Sequence, residues 1–262
     1  MFPKLFEIYS FPIHTYGLLL AVALLASIEV MARLAKREGL DRNQVWDLGF
    51  IIILAALLGA KLMLVAVDYD YYLSQPSRLV SLEFLQAGGV YYGGLLGAIA
   101  GTFLYLWRHP ELKFWTVADM AAPCIALGQS IGRLGCLAAG CDYGKPTDLP
   151  WAVTFSSEYA NRHVGVPLGI PLHPSQAYES LAALAIFLIL LRSFKRPHFP
   201  GQVFLLYLML YGAVRFLLEF ARGDTVRGLY FDGLISTSQI VSLILLPLAL
   251  FWWWRRRAVS QS

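Results

Sequence analysis

The sequence predicts an all-α membrane protein: a bundle of seven transmembrane helices in one polytopic membrane domain spanning residues 1–262. Three observations carry that expectation. Of the 262 residues, 58% are hydrophobic and only 15% charged, with a mean hydropathy of +0.58; an ordinary soluble domain runs at about 45–50% apolar and about 25% charged. The apolar excess is gathered into blocks close to the roughly 20 residues that carry a helix across about 30 Å of hydrocarbon. Each block is apolar on every side and lacks the strict alternation of a barrel strand. Composition thus argues against a soluble globule, a disordered chain or a secreted disulfide scaffold.

The first block, Tyr16–Ala32, is preceded only by Lys4 and followed by Arg33, Lys36 and Arg37, the reverse of a signal peptide, so it reads as a retained helix. Leu48–Val67 is the second. The third, Val90–Trp107, opens on Tyr91-Tyr92-Gly93-Gly94 and continues through Gly97 and Gly101, a row of small residues suited to close helix packing. Val117–Ala139 is the fourth and carries Gly128 and Gly132, again four apart. The segment from 140 to 176 holds Pro146, Pro150, Pro167, Pro171 and Pro174, which suits a folded outer cap, with a short strand at Trp151–Phe155. Blocks five to seven are Ala177–Leu191, Gln202–Ala221 and Leu234–Trp254. The segment from Asp68 to Gly89, with Pro76 and Gly88-Gly89, forms the other sizeable outer loop.

Orientation follows the cations. With the N-terminus outside, the inner side holds Arg33, Lys36, Arg37, Arg42, Arg108, Lys113, Arg192, Lys195, Arg196 and Arg255–Arg257. The outer side holds half as many (Lys4, Arg78, Lys145, Arg162, Arg222 and Arg227), mixed with acids such as Glu83, Asp148 and Asp232. The net charge of +4 is therefore an orientation signal suited to anionic headgroups, and no nucleic-acid partner is needed to explain it. Cys124, Cys136 and Cys141 are too few and too widely spaced for a zinc site. They read mainly as buried small hydrophobes, although a Cys136–Cys141 disulfide is chemically possible.

Polar residues inside apolar blocks are the informative ones, because an ionised side chain at the bilayer centre costs about 2.5–3.5 kcal/mol. Block six places Tyr211, Arg215, Glu219 and Arg222 along one helix face. Block four sets Arg133 among glycines, in Gly128-Gln-Ser-Ile-Gly132-Arg133-Leu-Gly135-Cys136. A guanidinium binds phosphate through a planar fork of donors and keeps its charge in a low dielectric. Arg133 and Arg215 on separate helices can therefore clamp one phosphodiester, and a lipid headgroup is the phosphate available at that depth. His14-Thr15-Tyr16-Gly17, Tyr91-Tyr92 and His173-Pro174-Ser175-Gln176-Ala177-Tyr178-Glu179 add His, Tyr and Glu at the outer ends of other blocks.

Together, the runs around His14, from Gly128 to Gly144, from His173 to Glu179 and from Tyr211 to Arg222 resemble the prolipoprotein diacylglyceryl transferase family, in family order, over residues 14 to about 224. The resemblance implies a bacterial inner-membrane enzyme of seven transmembrane helices, multi-pass, N-terminus periplasmic and C-terminus cytoplasmic. Its active site faces the periplasm beneath a cap made by residues 140–176. Such an enzyme moves the diacylglyceryl group of phosphatidylglycerol onto the lipobox cysteine thiol of a prolipoprotein, forming a thioether and releasing glycerol phosphate, without metal, nucleotide or other cofactor. A transporter or flippase of anionic phospholipid is the alternative that the buried arginines allow.

By this similarity Arg133 contacts phosphatidylglycerol and Arg215 is the second essential arginine, while Tyr16, Asp119, Gly144 and Glu219 match positions the family relies on. The expected catalytic set is Arg133, Arg215, Glu219, Tyr16, Tyr92 and His173. Headgroup contacts fall to Arg133, Arg215, His14, Gly132 and Gly144, supported by Asp119, Tyr178, Glu179 and Arg222. The chain departs from the family pattern at Tyr92, where a His is usual, at Cys136 in place of Asn, and at Cys141 in place of an acid displaced to Asp142. The chemistry requires a thiol of pKa about 8.5 to attack a glyceryl carbon while cations stabilise the leaving phosphate. Tyr92, Tyr16, His14 and His173 are the candidate bases.

Overall fold

The computed structural model describes residues 3–8, 11–81, 84, 89–224, 228–231 and 233–260; Glu83, Gly88, Arg227 and Asp232 lie outside them. In chain order the elements are strands β1 (Lys4–Ile8) and β2 (Phe11–His14), helices α1 (Thr15–Arg37), α2 (Arg42–Val67) and α3 (Tyr69–Leu73), a 3-10 turn at Pro76–Val80, α4 (Tyr91–Arg108) and α5 (Phe114–Ala139). Then come β3 (Val153–Thr154), α6 (Glu158–Val164), β4 (Pro171–Leu172), α7 (Ser175–Phe194), α8 (Gln202–Leu218), a 3-10 turn at Glu219–Ala221, β5 (Leu229–Tyr230), β6 (Ile235–Ser236) and α9 (Thr237–Val259).

Each apolar block is the body of one helix. Helix ends depart from the block ends by a few residues, and at α2 and α9 side-chain caps set the start. The Asp41 carboxylate accepts from the Asn43 N–H at 2.9 Å to start α2 six residues before its apolar run. Ser236 and Gln239 form a reciprocal capping box that starts α9 at Thr237, three residues after Leu234. Five helical spans are long and apolar enough to cross a membrane: Thr15–Arg37, Arg42–Val67, Ser175–Phe194, Gln202–Ala221 and Thr237–Val259. The protein is therefore a helical membrane protein. The other two long helices, α4 and α5, exchange leucine for glycine, tyrosine and polar groups, which lowers their hydropathy and marks them as packing and functional elements.

The chain divides into two compact units, residues 1–31 with 115–262, and residues 32–114. In the second unit α2 and α4 pack along the predicted row of small residues. A Cβ added at Gly97 would lie 3.2 Å from the Gly59 Cα, and one at Gly101 would lie 2.7 Å from the Ala55 Cβ. The absence of side chains brings the two backbones together where lipid supplies no hydrophobic drive. Gly132 behaves differently: a Cβ there would meet nothing within 4 Å. The close packing expected from the Gly128–Gly132 spacing is thus not made at Gly132 among the described residues.

In the first unit α8 packs against both α7 and α9. Its N-terminus is tied to α5 by Asp119, whose carboxylate accepts from the N–H groups of Gly201 at 2.7 Å and Phe204 at 2.9 Å. Residues 140–176 form a folded cap. The expected strand at Trp151–Phe155 narrows to β3, paired antiparallel with β4. Phe155, Ala160, Val166 and Leu172 form a small buried core there, with Leu137 and Tyr143 packed against it. Substituting Asp119 by Ala orphans two helix-terminal donors and should lower stability by about 1–2 kcal/mol. The expected readout is a lower thermal unfolding midpoint in detergent.

Candidate active site

The site begins at the end of α5. Gly140 adopts a left-handed φ of 86°, its N–H bonds the Cys136 carbonyl at 2.8 Å, and a Cβ would crowd Val166 and Ala160. Only glycine satisfies both conditions. The reversal throws Asp142 back toward the helix in a second left-handed conformation (φ 57°), one that Asp tolerates better than most residues. The start of α7 holds this loop: Ser175 Oγ donates to the Asp142 carbonyl and Gln176 Nε2 to the Cys141 carbonyl, each at 2.7 Å.

Beyond it, Gly144 bridges to Arg222, Lys145 N–H donates to the Ala221 carbonyl at 2.9 Å, and Gly223 N–H donates to the Tyr143 carbonyl at 2.9 Å. On the other side His173 N–H donates to the Lys145 carbonyl at 2.9 Å. A Cβ on Gly144 would overlap His173, 2.6 Å from its Cβ. Gly144 is therefore where three chain segments meet without room for a side chain.

This backbone brings three arginines onto one carboxylate. Glu179 Oε2 is 2.6 Å from Arg133 Nε, and Oε1 is 3.4 Å from Arg215 Nη1 and 3.8 Å from Arg222 Nη1. Asp142 makes a second bridge, Oδ2 to Arg133 Nη1 at 2.6 Å and Oδ1 to Arg222 Nη2 at 2.5 Å. Glu219 Oε2 lies 2.7 Å from Arg215 Nη2, which also donates to Ser238 Oγ at 3.0 Å. Arg222 is held further by both oxygens of Asp224, at 2.9 and 2.8 Å. Glu179, Arg215, Glu219 and Arg222 are buried, so each charge needs its partners. Burial alone would raise the Asp142 carboxyl, but the Arg133 and Arg222 guanidinium groups hold it below its ordinary value of 3.8.

Arg133 and Arg215 line one narrow pocket together with Gln129, Glu179, Tyr211 and Leu218. Arg133 spends Nε and Nη1 on carboxylates and keeps Nη2 without a partner among the described residues. The buried Oε1 of Gln129 has no hydrogen-bond partner among them either. Fixed guanidinium donors beside an open acceptor suit an anionic headgroup that carries hydroxyls.

The family model described as prolipoprotein diacylglyceryl transferase matches residues 3–255. The chain belongs to the prolipoprotein diacylglyceryl transferase family. It is similar to proteins named phosphatidylglycerol–prolipoprotein diacylglyceryl transferase. That of Clostridium tetani is 34% identical over 255 residues, 96% of each chain. That of Bordetella avium is 37% identical over 259 residues, 95% of this chain and 93% of the relative. That of Vibrio cholerae is 34% identical over 265 residues, 99% and 93% respectively.

Within this diacylglyceryl transferase fold the expected residues separate into groups. Arg133, Arg215, Glu219, Glu179 and Arg222 converge. The face expected to be one continuous helix is broken, however: α8 tightens into a 3-10 turn at Glu219 and Arg222 follows in extended conformation. Tyr16, in the first turn of α1, packs its ring into the space that Gly135 leaves, since a Cβ on Gly135 would lie 3.1 Å from that ring. It is within electrostatic reach of Arg133, Asp142 and Cys136. His14 instead hydrogen-bonds the Tyr159 hydroxyl of the cap at 2.8 Å. His173 pairs with the Tyr178 hydroxyl at 3.4 Å, which also accepts from Trp151 Nε1 at 2.7 Å. Asp119 sits at the far end of α8. Tyr92 belongs to the second unit, exposed at the start of α4 with its ring edge-on to Tyr91.

Asp142, Asp224, Ser238 and Gln129 complete the site without having been expected there. Of these only Asp142 had a sequence signal, as the acid displaced by one position from the family pattern.

Two outcomes are expected. Glu179→Gln removes the one carboxylate that the three arginines share, while each keeps another in Asp142, Glu219 or Asp224, so it should cost about 1–3 kcal/mol, read as a drop in the unfolding midpoint. For Asp142→Asn the penalty depends on pH. A carboxyl whose pKa is depressed by folding contributes stability above its unfolded value and loses it as pH falls through the folded value. The midpoint difference from wild type should therefore be constant from pH 8 down to about 5 and shrink only below pH 3.8.

Proposed function

We propose that the chain transfers the diacylglyceryl group of phosphatidylglycerol to the lipobox cysteine of prolipoproteins at the Arg133–Arg215 pocket. The observation that carries this reading is the convergence of two guanidinium groups from separate helices, α5 and α8, on the single Glu179 carboxylate at the wall of one pocket. Carboxylates hold both arginines in place before a ligand arrives, so little reorganisation remains for the reaction itself.

The headgroup phosphate takes the donors left over, first Arg133 Nη2, and a headgroup glycerol hydroxyl donates to Gln129 Oε1. The substrate thiol loses its proton and attacks the glyceryl carbon. A C–S bond forms, the C–O bond to phosphate breaks, and the electron pair goes to the leaving oxygen beside the arginines. Glu219 orients Arg215, and Arg222, fixed by Asp224, holds Asp142 and thereby Arg133. Tyr16, within electrostatic reach of Arg133 and Asp142, can pass the thiol proton toward the departing phosphate, which leaves as glycerol phosphate.

In the membrane this reading has seven crossings, with α4 and α5 spanning alongside the five more apolar helices. The N-terminus is periplasmic, and the Arg255–Arg257 end is cytoplasmic, where anionic headgroups meet it. The compartment is the bacterial inner membrane, and the 140–176 cap with the arginine cluster faces the periplasm.

The test is an in-vitro assay with phosphatidylglycerol vesicles and a lipobox cysteine peptide, following both thioether product and released glycerol phosphate. Lipid binding without release of glycerol phosphate overturns the transferase reading and leaves a lipid carrier. Arg215→Lys keeps the charge but loses the planar fork; it should insert normally and lower the transfer rate roughly a hundredfold.

A further inference from the structure

The transfer step leaves two thiols at the edge of the site unused. In a glycine-closed helix end, the residue three before the cap and the residue after the glycine come side by side. At the end of α5 those two positions are Cys136 and Cys141. Their Sγ atoms lie within 4.8 Å of each other. Cys141 Sγ points at the Cys136 carbonyl, 3.8 Å away, and Cys136 Sγ is 4.0 Å from Arg133 Nη1. Both are free thiols; Cys136 is buried and Cys141 half-buried.

Asp142 lies within the same 4.8 Å and would complete a three-donor metal cluster. Its two oxygens are already bound to Arg133 and Arg222, so a divalent cation would have to displace a guanidinium and then sit beside it. That electrostatic cost leaves the pair as a dithiol. Cys124, the remaining cysteine, is buried about 18 Å back along the same helix.

We propose that Cys136 and Cys141 form an oxidisable dithiol site that closes to an intramolecular disulfide by exchange with small disulfides of the glutathione class. The more accessible Cys141, as thiolate, attacks the disulfide and releases one thiol, leaving a mixed disulfide on its own sulfur. The Cys136 thiolate then attacks Cys141 Sγ and expels the second thiol. The two protons end on the two released thiols; one external disulfide is reduced and two chain thiols are oxidised. Closure to a bond of about 2.05 Å needs side-chain rotation within a backbone already turned by Gly140. It links the last turn of α5 to the residue preceding Asp142, the carboxylate that holds Arg133.

The test uses the full chain, purified in detergent and equilibrated with glutathione disulfide. The protein is then acid-quenched, denatured, alkylated and mapped by mass spectrometry. The expected product has lost the mass of two hydrogens, carries a link between the Cys136 and Cys141 peptides, alkylates only at Cys124 and is restored by dithiothreitol. Cys141→Ser and Cys136→Ser should each abolish closure, the first preventing glutathione attachment at 141 and the second stopping at the Cys141 mixed disulfide. Alkylation of both Cys136 and Cys141 after equilibration overturns the proposal, as does a link to Cys124 or to a second chain. The readout is covalent, so it stands or falls independently of transfer activity.

Discussion

Three guanidinium groups brought together in a poorly solvated site repel one another, and the Glu179 carboxylate is what lets Arg133, Arg215 and Arg222 share it. Two unit charges 6 Å apart at an effective dielectric of 20 repel by about 3 kcal/mol, comparable to a sizeable part of a domain's net stability. Asp142, Glu219 and Asp224 give each arginine a second carboxylate contact. What results is a set of cations whose positions are settled by carboxylates before any phosphate arrives. That is the condition under which they stabilise developing charge without rearranging.

Most of the surrounding fold serves to deliver these side chains. Arg133 comes from α5, Glu179 from α7, Arg215 from α8, and Asp142 and Arg222 from backbone just outside the helices. The helices alone cannot align the last two. Gly140 turns the chain back, Ser175 and Gln176 hold the turn by its carbonyls, and bare backbone at Gly144 and Gly223 lets the cap cross the end of α8. The motif from His173 to Glu179 therefore acts as a unit. Its serine and glutamine position the loop, and its glutamate, one helical turn on, receives the arginines.

The helices were legible because an apolar block in a chain of this composition has few other ways to satisfy its backbone. The pairing of Arg215 with Glu219 was legible too, as an i, i+4 spacing inside such a block. The end of that helix was not: Arg222 falls at helical spacing, yet the 3-10 turn at Glu219–Ala221 takes it off the face and into a bridge with Gly144. Gly132 and Gly97 share a small-residue spacing, but only Gly97 meets another helix. Spacing shows where a close approach is possible; it says nothing of whether a neighbour comes.

From the sequence by itself came the helical membrane class, the position of each long helix, the folded cap and the two arginines worth watching, since these depend on composition and local periodicity. Which carboxylate each arginine meets, why His14 and His173 turn to tyrosines of the cap, and how Cys136 comes to lie beside Cys141 were decided only in three dimensions. Partners far apart in the chain are chosen by the geometry of turns and of glycine contacts, and a charge finds its partner through that geometry rather than through its place in the sequence.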